Sequence, residues 1–285
     1  MGWPVIAQNL LSVSARLVSV IVPTRNSART IAACLESVRA QTYRPLEVVV
    51  VDNGSSDSTV AIAAGLADRV EAFGPERSAQ RNHGAAVARG DYLLFIDSDM
   101  RLRPEVVADC VATIAATGAP GVIIPETSIG EGFWARCRAL ERSCYVGDDS
   151  VEAARFFPCS VFEASGGYDE ALSGPEDWDL SQRVAAGRSL PRTKAMIDHD
   201  EGRLGLRDHL AKKRYYGATF RRYLGKQRSS MGRAGVLIIR PAYLRNWRRL
   251  AEHPILTAGI FGLKGLELGA AALGVLTGRR RQPTV

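Results

Sequence analysis

The sequence predicts an α/β fold: a mostly parallel central sheet flanked by helices, followed by a helical extension that is first basic and then apolar. Three observations predict it. Short apolar, β-branched runs alternate with segments of helical period, as in right-handed βαβ units. Polar residues stand at the carboxyl ends of those runs, where open α/β sheets bind ligands. The charge balance also reverses near residue 200. Residues 1–200 hold 19 Lys/Arg against 26 Asp/Glu, and residues 201–285 hold 18 against 4, within a net charge of +7.

Leu17-Val18-Ser19-Val20-Ile21-Val22 reads as a buried strand stopped by Pro23. A helix follows over about 28–40, with Ile31, Leu35 and Val38 at helical spacing and Asn26 or Ser27 placed to cap it. Residues 46–52 form a second buried run ending in Asp52, then the turn Asn53-Gly54-Ser55-Ser56-Asp57 and a short helix. Asp57 is expected to cap that helix. Residues 70–73 make a third strand, and 79–88 a helix ended by Gly90. Tyr92-Leu93-Leu94-Phe95-Ile96 is the clearest strand and runs into Asp97. Beyond it, 104–117 reads as a helix, 122–124 as a strand and 133–145 as a helix. Residues 155–157 and 161–162 read as short strands or edges, and a helix starts at Asp177.

A chain of 285 residues is long enough for one large α/β domain with an appendage. Residues 1–202 are expected to form the main globular part, with a division near residue 100, and to precede a helical extension over 203–285. Five scattered cysteines form no CxxC and no zinc spacing, so free thiols in a reducing compartment are expected. Residues 1–13 are mildly apolar but lack a basic start and a cleavage site, so the catalytic part is expected to face the cytoplasm.

Asp97-Ser98-Asp99 carries the chemistry. In an extended segment, residues two apart point to the same side. Two such carboxylates can hold a divalent cation, Mg or Mn, or one can hold the cation while the other meets a ribose hydroxyl. Alone the pattern is common; its place at the end of a buried strand gives it weight. Asp177 follows the turn Gly174-Pro175 and can stand at a helix start. A carboxylate there also suits the helix macrodipole, a role that fits Asp179 better, while Glu176 fits either.

These motifs come in a set order. Val20-Ile21-Val22-Pro23-Thr24-Arg25-Asn26, Val50-Val51-Asp52-Asn53-Gly54-Ser55-Ser56-Asp57, Gln80-Arg81-Asn82-His83-Gly84 and Asp97-Ser98-Asp99 resemble the nucleotide-binding half of family 2 glycosyltransferases. Gly166-Gly167-Tyr168-Asp169-Glu170 and Pro175-Glu176-Asp177-Trp178-Asp179-Leu180 resemble the acceptor half. The resemblance implies a GT-A fold and sugar transfer from a nucleoside-diphosphate sugar, usually with inversion. It places Pro23, Thr24, Asn26 and Asp52 at the donor's base and ribose, and Arg81 near the base or diphosphate. Asp97 falls at the ribose, Asp99 at the metal and Asp177 as the base, with Glu176 and Trp178 on the acceptor side. His199 is a candidate further metal ligand, although a lone His is more often structural. Arg155 can meet an acidic acceptor, and a surface arginine is the plainer expectation. Asn82 is expected to brace the loop and His83 to lie at the surface. Gln182-Arg183 is followed by Val184 where processive members carry Trp, so a single addition is expected.

The basic run 203–228, interleaved with Tyr215, Tyr216, Phe220 and Tyr223, reads as an amphipathic helix suited to an anionic membrane surface. No motif supports nucleic acid. Residues 236–239 and 244–250, the latter with Trp247, read as interfacial. Residues 254–276 are mostly apolar but interrupted by Lys264 and Glu267, which lie i,i+3 and can pair. That favours a monotopic or re-entrant anchor over a span, with Arg279, Arg280 and Arg281 cytoplasmic. A membrane anchor points to a lipid-linked acceptor. The competing readings are a nucleotidyltransferase, which should show a Gly-rich loop after the first strand, and a nucleotide-sugar-binding scaffold. Pro23-Thr24-Arg25-Asn26 stands where the Gly-rich loop would.

Overall fold

The computed structural model describes residues 16–226 and 241–277. The expected segments 1–13, 236–239 and 279–281 lie outside the described residues. A six-stranded sheet forms the centre, in the order β3-β2-β1-β4-β8-β6. Its strands are β1 (Val18–Thr24), β2 (Leu46–Asp52), β3 (Arg69–Ala72), β4 (Tyr92–Phe95), β6 (Val122–Ile123) and β8 (Ala154–Pro158). β1 to β4 run parallel, whereas β8 lies antiparallel to both β4 and β6. β1, β2 and β4 are buried on both faces, which is why they read as continuous apolar runs rather than alternating ones. Val20, Val22, Val48, Val50 and Leu94 pack into one core. Ile21, Val49, Val51, Leu93 and Phe95 pack into the other.

The register aligns Thr24 with Asp52 and Ile21 with Phe95, so the chain leaves β1, β2 and β4 along one edge. Strand order reverses between β1 and β4, the kind of switch point at which such sheets open a crevice. Helices α1 (Ile31–Arg39), α2 (Thr59–Ala64), α3 (Arg77–Val87) and α4 (Val106–Thr117) connect these strands. α1 buries Ile31, Leu35 and Val38, the residues at helical spacing.

A second sheet of three strands, β5 (Met100–Leu102), β9 (Ile197–Arg203) and β7 (Glu126–Glu131), was not expected from the sequence. β7 and β9 are polar, and charged side chains that meet across the pair satisfy them, so no apolar alternation marks them. Residues 161–162 also differ from expectation. They lie in helix α6 (Cys159–Ala164), not in a strand. Phe162 packs 5.0 Å from the Phe95 ring and 5.8 Å from Tyr168, and two adjacent apolar residues carry no period that distinguishes strand from helix.

The remaining helices are α5 (Gly132–Ser143), α7 (Glu176–Ala185), α8 (Leu206–Lys226), α9 (Pro241–Arg245), α10 (Trp247–Ala251) and α11 (Pro254–Thr277). α11 packs along α8 and α5. The α8–α11 contact is made by backbone. A Cβ at Gly274 would lie 1.9 Å from the Arg214 carbonyl oxygen, and one at Gly217 would lie 2.3 Å from that of Ala271. Lys264 and Glu267 pair at 2.7 Å as their spacing predicts. Both are buried: Lys264 also meets Glu141 of α5 at 2.6 Å, and Glu267 meets His209 of α8 at 2.6 Å. Burial works against the Glu141 carboxylate, yet Arg138 and Lys264 outweigh it and push its pKa down to about 2. The charges that interrupt the apolar helix are therefore the ones that dock it.

Gly274→Ala is expected to separate α8 from α11 and to cost about 1–3 kcal/mol of overpacking strain. Gly269→Ala, whose Cβ would meet nothing within 4 Å, is expected to be neutral or to stabilise by up to about 1 kcal/mol. Urea denaturation of the two variants checks the contrast.

Candidate active site

The three strand ends build the floor. Asp52 accepts the Ser55 N–H at 2.8 Å and the Ser55 hydroxyl, which closes the turn after β2. Asn26 has φ +49°, a conformation that Asn tolerates better than most residues, and its Oδ1 accepts the Ser56 N–H at 2.9 Å. The loops after β1 and β2 are thereby tied together. Pro23 and Thr24 end β1 and are buried. The Thr24 carbonyl accepts from Gln80 Nε2 of α3 at 3.0 Å. Asp57 accepts from Ala28 N–H and Thr59 N–H at 3.1 and 3.0 Å, which anchors the start of α2. Asn82 braces the loop as expected, with Nδ2 donating to Tyr168 O and Oδ1 accepting from Tyr168 N–H, both at 2.9 Å. His83 stacks on Phe73 at 4.3 Å.

Asp97-Ser98-Asp99 is a turn rather than an extended segment, because Met100 N–H donates back to Asp97 O at 3.0 Å. The two carboxylates therefore diverge. Asp97 Oδ1 receives Arg81 Nη2 at 2.7 Å, while Asp99 Oδ2 lies 3.3 Å from His199 Nε2. Burial works against the Asp97 charge, yet Arg81, Arg77 and Arg155 hold its pKa well below the usual carboxylate range.

Arg81 is fully buried and spans the site. Its Nη1 donates to Asp177 Oδ1 at 2.9 Å and lies 3.5 Å from Glu176 Oε1. One guanidinium thus joins the turn after β4 to the first turn of α7. Arg77, one helical turn earlier on α3, meets Glu176 at 3.1 Å, and its guanidinium lies 5.6 Å from the centre of the Tyr216 ring. Glu176 is itself buried and accepts the Gly174 N–H. Trp178 donates its indole N–H to Val151 O at 2.7 Å, which fixes the ring.

Arg155 is not a surface residue. It sits on β8 with its side chain 10 % exposed, paired to Glu126 at 2.8 Å and 3.9 Å from Asp177. A surface position was the plainer sequence expectation for an isolated arginine. The sheet overrides it by turning this position toward the buried carboxylates.

Two side chains offer donors to a cation. Among the described residues, Asp99 Oδ1 is buried without a hydrogen-bond partner. His199 lies beside that carboxylate and 3.4 Å from Glu126. Burial favours the neutral imidazole, but the Asp99 carboxylate and hydrogen bonds to Asp99 and Glu126 outweigh it and push the ring up to about 9. No group of three or more His, Cys, Asp or Glu side chains suited to a metal is present among the described residues. An orphaned carboxylate oxygen with a neighbouring imidazole still fits Mg or Mn, which commonly take only one or two protein carboxylates and complete their shell with substrate phosphate oxygens.

The model of glycosyl transferase family 2 matches residues 19–163. The chain belongs to glycosyl transferase family 2. It is 30 % identical over 230 residues to the pre-mycofactocin glycosyltransferase of Mycobacterium tuberculosis strain H37Rv. That match covers 72 % of this chain and 47 % of the relative, so the chain spans about half the length of that protein. Among solved structures, the mannosyltransferase PcManGT from Pyrobaculum calidifontis, in complex with GDP-Man and Mn2+, superposes with a TM-score of 0.65 at 18 % identity. The superposition covers 92 % of this chain and 88 % of that one. Glucosyl-3-phosphoglycerate synthase from Mycobacterium tuberculosis, in complex with Mn2+, UDP and glucosyl-3-phosphoglycerate, gives a TM-score of 0.50 at 20 % identity, over 72 % and 78 % of the two chains. The fold is accordingly the GT-A fold of nucleotide-sugar transferases.

In this family 2 chain, four residues of the site escaped the sequence reading: Arg77, Glu126, Tyr168 as a side chain, and Glu201. Arg77 had a signal, since it stands i,i+4 to Arg81 on one helix face. Tyr168 was quoted only as part of a motif; its ring lies 5.0 Å from the Arg81 guanidinium. Glu126 and Glu201 lie on the polar strands β7 and β9, which carried no pattern of their own.

Arg81→Met would leave Asp97, Glu176 and Asp177 facing one another without their shared cation. It is expected to destabilise the fold by about 3–5 kcal/mol, the usual penalty for an orphaned buried charge. Thermal unfolding, with circular dichroism to confirm retained helix, tests this.

Proposed function

We propose that the chain transfers a sugar from a nucleoside-diphosphate sugar to a hydroxyl of an acceptor, by a single displacement that inverts the anomeric centre. The observation that carries this reading is the clamp of Arg81 between Asp97, at the donor end of the sheet, and Asp177, at the start of α7. It brings a donor-side carboxylate and an acceptor-side carboxylate to one guanidinium, as a displacement between two bound substrates requires. The complexes of PcManGT with GDP-Man and Mn2+ and of the mycobacterial synthase with UDP and Mn2+ support a nucleotide donor and a divalent cation.

The roles follow from position. Asp52, Asn26 and Thr24 line the strand ends that receive the base and ribose, and Pro23 fixes the exit of β1. Asp99, with His199 beside it and Asp97 nearby, holds a Mn or Mg ion. The ion supplies charge neutralisation at the leaving diphosphate, which matters most as charge builds in the transition state. Asp177 accepts the proton of the attacking hydroxyl. Arg81 and Arg155 orient that carboxylate, and Trp178 walls the acceptor. Val184 in place of Trp after Gln182-Arg183 favours one addition per acceptor.

The acceptor is proposed to be lipid-linked, at the cytoplasmic face of a membrane. α11 is the one helix among the described residues long and apolar enough to cross a bilayer, but Lys264 and Glu267 face the protein. Its outer face exposes Ile255, Leu273 and Leu276, with Leu244 and Trp247 exposed on α9 and α10. Exposed apolar side chains, a Trp among them, suit a helix lying in the interface. Ile255→Glu with Leu276→Glu is expected to reduce co-sedimentation with phosphatidylglycerol-containing vesicles at least tenfold. Unchanged sedimentation would refute the anchor.

For the chemistry, Asp177→Asn is expected to lower transfer by at least a hundredfold while nucleotide binding persists. Asp99→Ala is expected to abolish Mn-dependent binding of nucleoside diphosphates. Calorimetry with UDP, GDP, dTDP and CDP, with and without Mn, reads binding in both variants and identifies the nucleotide, and release of that nucleoside diphosphate from its sugar conjugates reads transfer. Turnover that survives in Asp177→Asn would remove Asp177 as the base.

A further inference from the structure

A cavity of about 340 Å³ opens beside Asp177 and Trp178 and runs away from the strand ends. β8, α5, α7, α8 and α11 all contribute to its wall. Six cations line it, Arg77, Arg138, Arg142, Arg155, Lys213 and Lys264, against three acids, Glu126, Glu152 and Asp177. The acids are already engaged. Glu152 pairs with Arg192 at 2.7 Å. Glu126 is shared by Arg142 and Arg155, and Asp177 by Arg81 and Arg155. On the far side, Glu267 meets His209 at 2.6 Å and Lys264 at 2.7 Å, leaving Lys213 at 3.7 Å.

The cations are paired as well, Arg77 with Glu176, Arg142 with Glu201, and Arg138 and Lys264 with Glu141, but hydrogen-bonding capacity is left over. Among the described residues, Arg155 Nη1 and Arg138 Nε are buried without a hydrogen-bond partner. Both residues line the cavity. Unpaired buried N–H groups are costly unless a ligand satisfies them. Burial pushes Lys213 down to about 8 despite Glu267 and Glu141, with Arg138 and Lys264 adding to the effect. The cations converge from α3, α5, β8, α8 and α11, so they approach from several directions, as the oxygens of a tetrahedral anion present themselves.

We propose that this cavity is the seat of a phosphate group carried by the acceptor, held by Arg155 and Lys213 so that a hydroxyl of the same molecule reaches Asp177. The inference rests on the transferase reading for what the phosphate belongs to, and on the cavity alone for the phosphate itself. It also gives part of the basic tail a specific role. Lys213 of α8 faces inward, and Tyr216 beside it packs over Arg77 at the cavity wall.

Inorganic phosphate is the probe, titrated calorimetrically into the full chain in metal-free buffer at constant ionic strength. Saturable binding is expected, weakened at least tenfold in Lys213→Gln and in Arg155→Gln and less in Arg155→Lys. Arg207→Gln, an exposed cation on the same helix, is expected to leave it unchanged. Melting temperatures of the variants show that each is folded. Absence of saturable binding by the unaltered chain, or equal loss in Arg207→Gln, overturns the proposal. A second arm uses phosphatidylcholine vesicles containing phosphatidic acid. Release of the vesicles by inorganic phosphate, together with weakened capture by Lys213→Gln, assigns the cavity to a lipid-borne phosphate. Vesicle capture indifferent to both, beside intact phosphate binding, assigns it to a water-soluble one. Phosphate binding without any nucleotide binding would refute the transferase reading and leave the anion site standing. Nucleotide-dependent transfer without phosphate binding would do the reverse.

Discussion

A single buried guanidinium organises this molecule. Arg81 has no exposed side-chain surface and faces three carboxylates from two distant parts of the chain. A charge buried that deeply is tolerated only with partners in good geometry, and the partners are tolerated only with the charge. The turn after β4 and the first turn of α7 are thus obliged to meet. Tyr168 covers the remaining face of the guanidinium, and Asn82 on the same helix as Arg81 holds the Tyr168 backbone. The turn after β4 and the start of α7 are coupled through one helix, α3.

The same logic extends outward. Glu126 links His199 to Arg142 and Arg155, and Glu201 links Arg142 to Arg138. Arg138 meets Glu141, which meets Lys264 of α11. A continuous chain of ion pairs therefore runs from the Asp99 side of the site to the C-terminal helices. Such pairs add little net stability over a well-packed apolar core, but they penalise any arrangement that separates the partners. Here they fix how α11 sits: Lys264 and Glu267 turn inward beside Ile260 and Leu263, while Ile255, Leu273 and Leu276 are exposed.

This explains why hydropathy alone gave an ambiguous view of residues 254–276. Two charges within an apolar helix argue against a lone span, yet they also fit a helix that docks on protein through those charges. Gly217 and Gly274 settle the approach, because they let α8 and α11 touch along their backbones. The basic run before them is not uniformly a solvated face. Lys213 turns toward the cavity, and Tyr215 donates its hydroxyl to Glu76 of the catalytic body.

The parallel strands, their helices and the ends that carry Thr24, Asp52 and Asp97 were legible in the sequence, because burial on both faces writes itself as unbroken apolar runs. Asp99 and Asp177 stood out as candidates because they follow a strand and a Gly-Pro turn. Tertiary structure alone decided that Asp97 and Asp99 diverge, that Arg155 is buried, and that Arg81 spans both halves of the site. It also decided that β7 and β9 exist at all, since polar strands held by ion pairs have no hydrophobic period to read. Local pattern records which residues leave water; it does not record which distant charge each buried charge will meet. That is a property of the folded chain, where the cost of an unpaired charge selects among the arrangements that burial alone would allow.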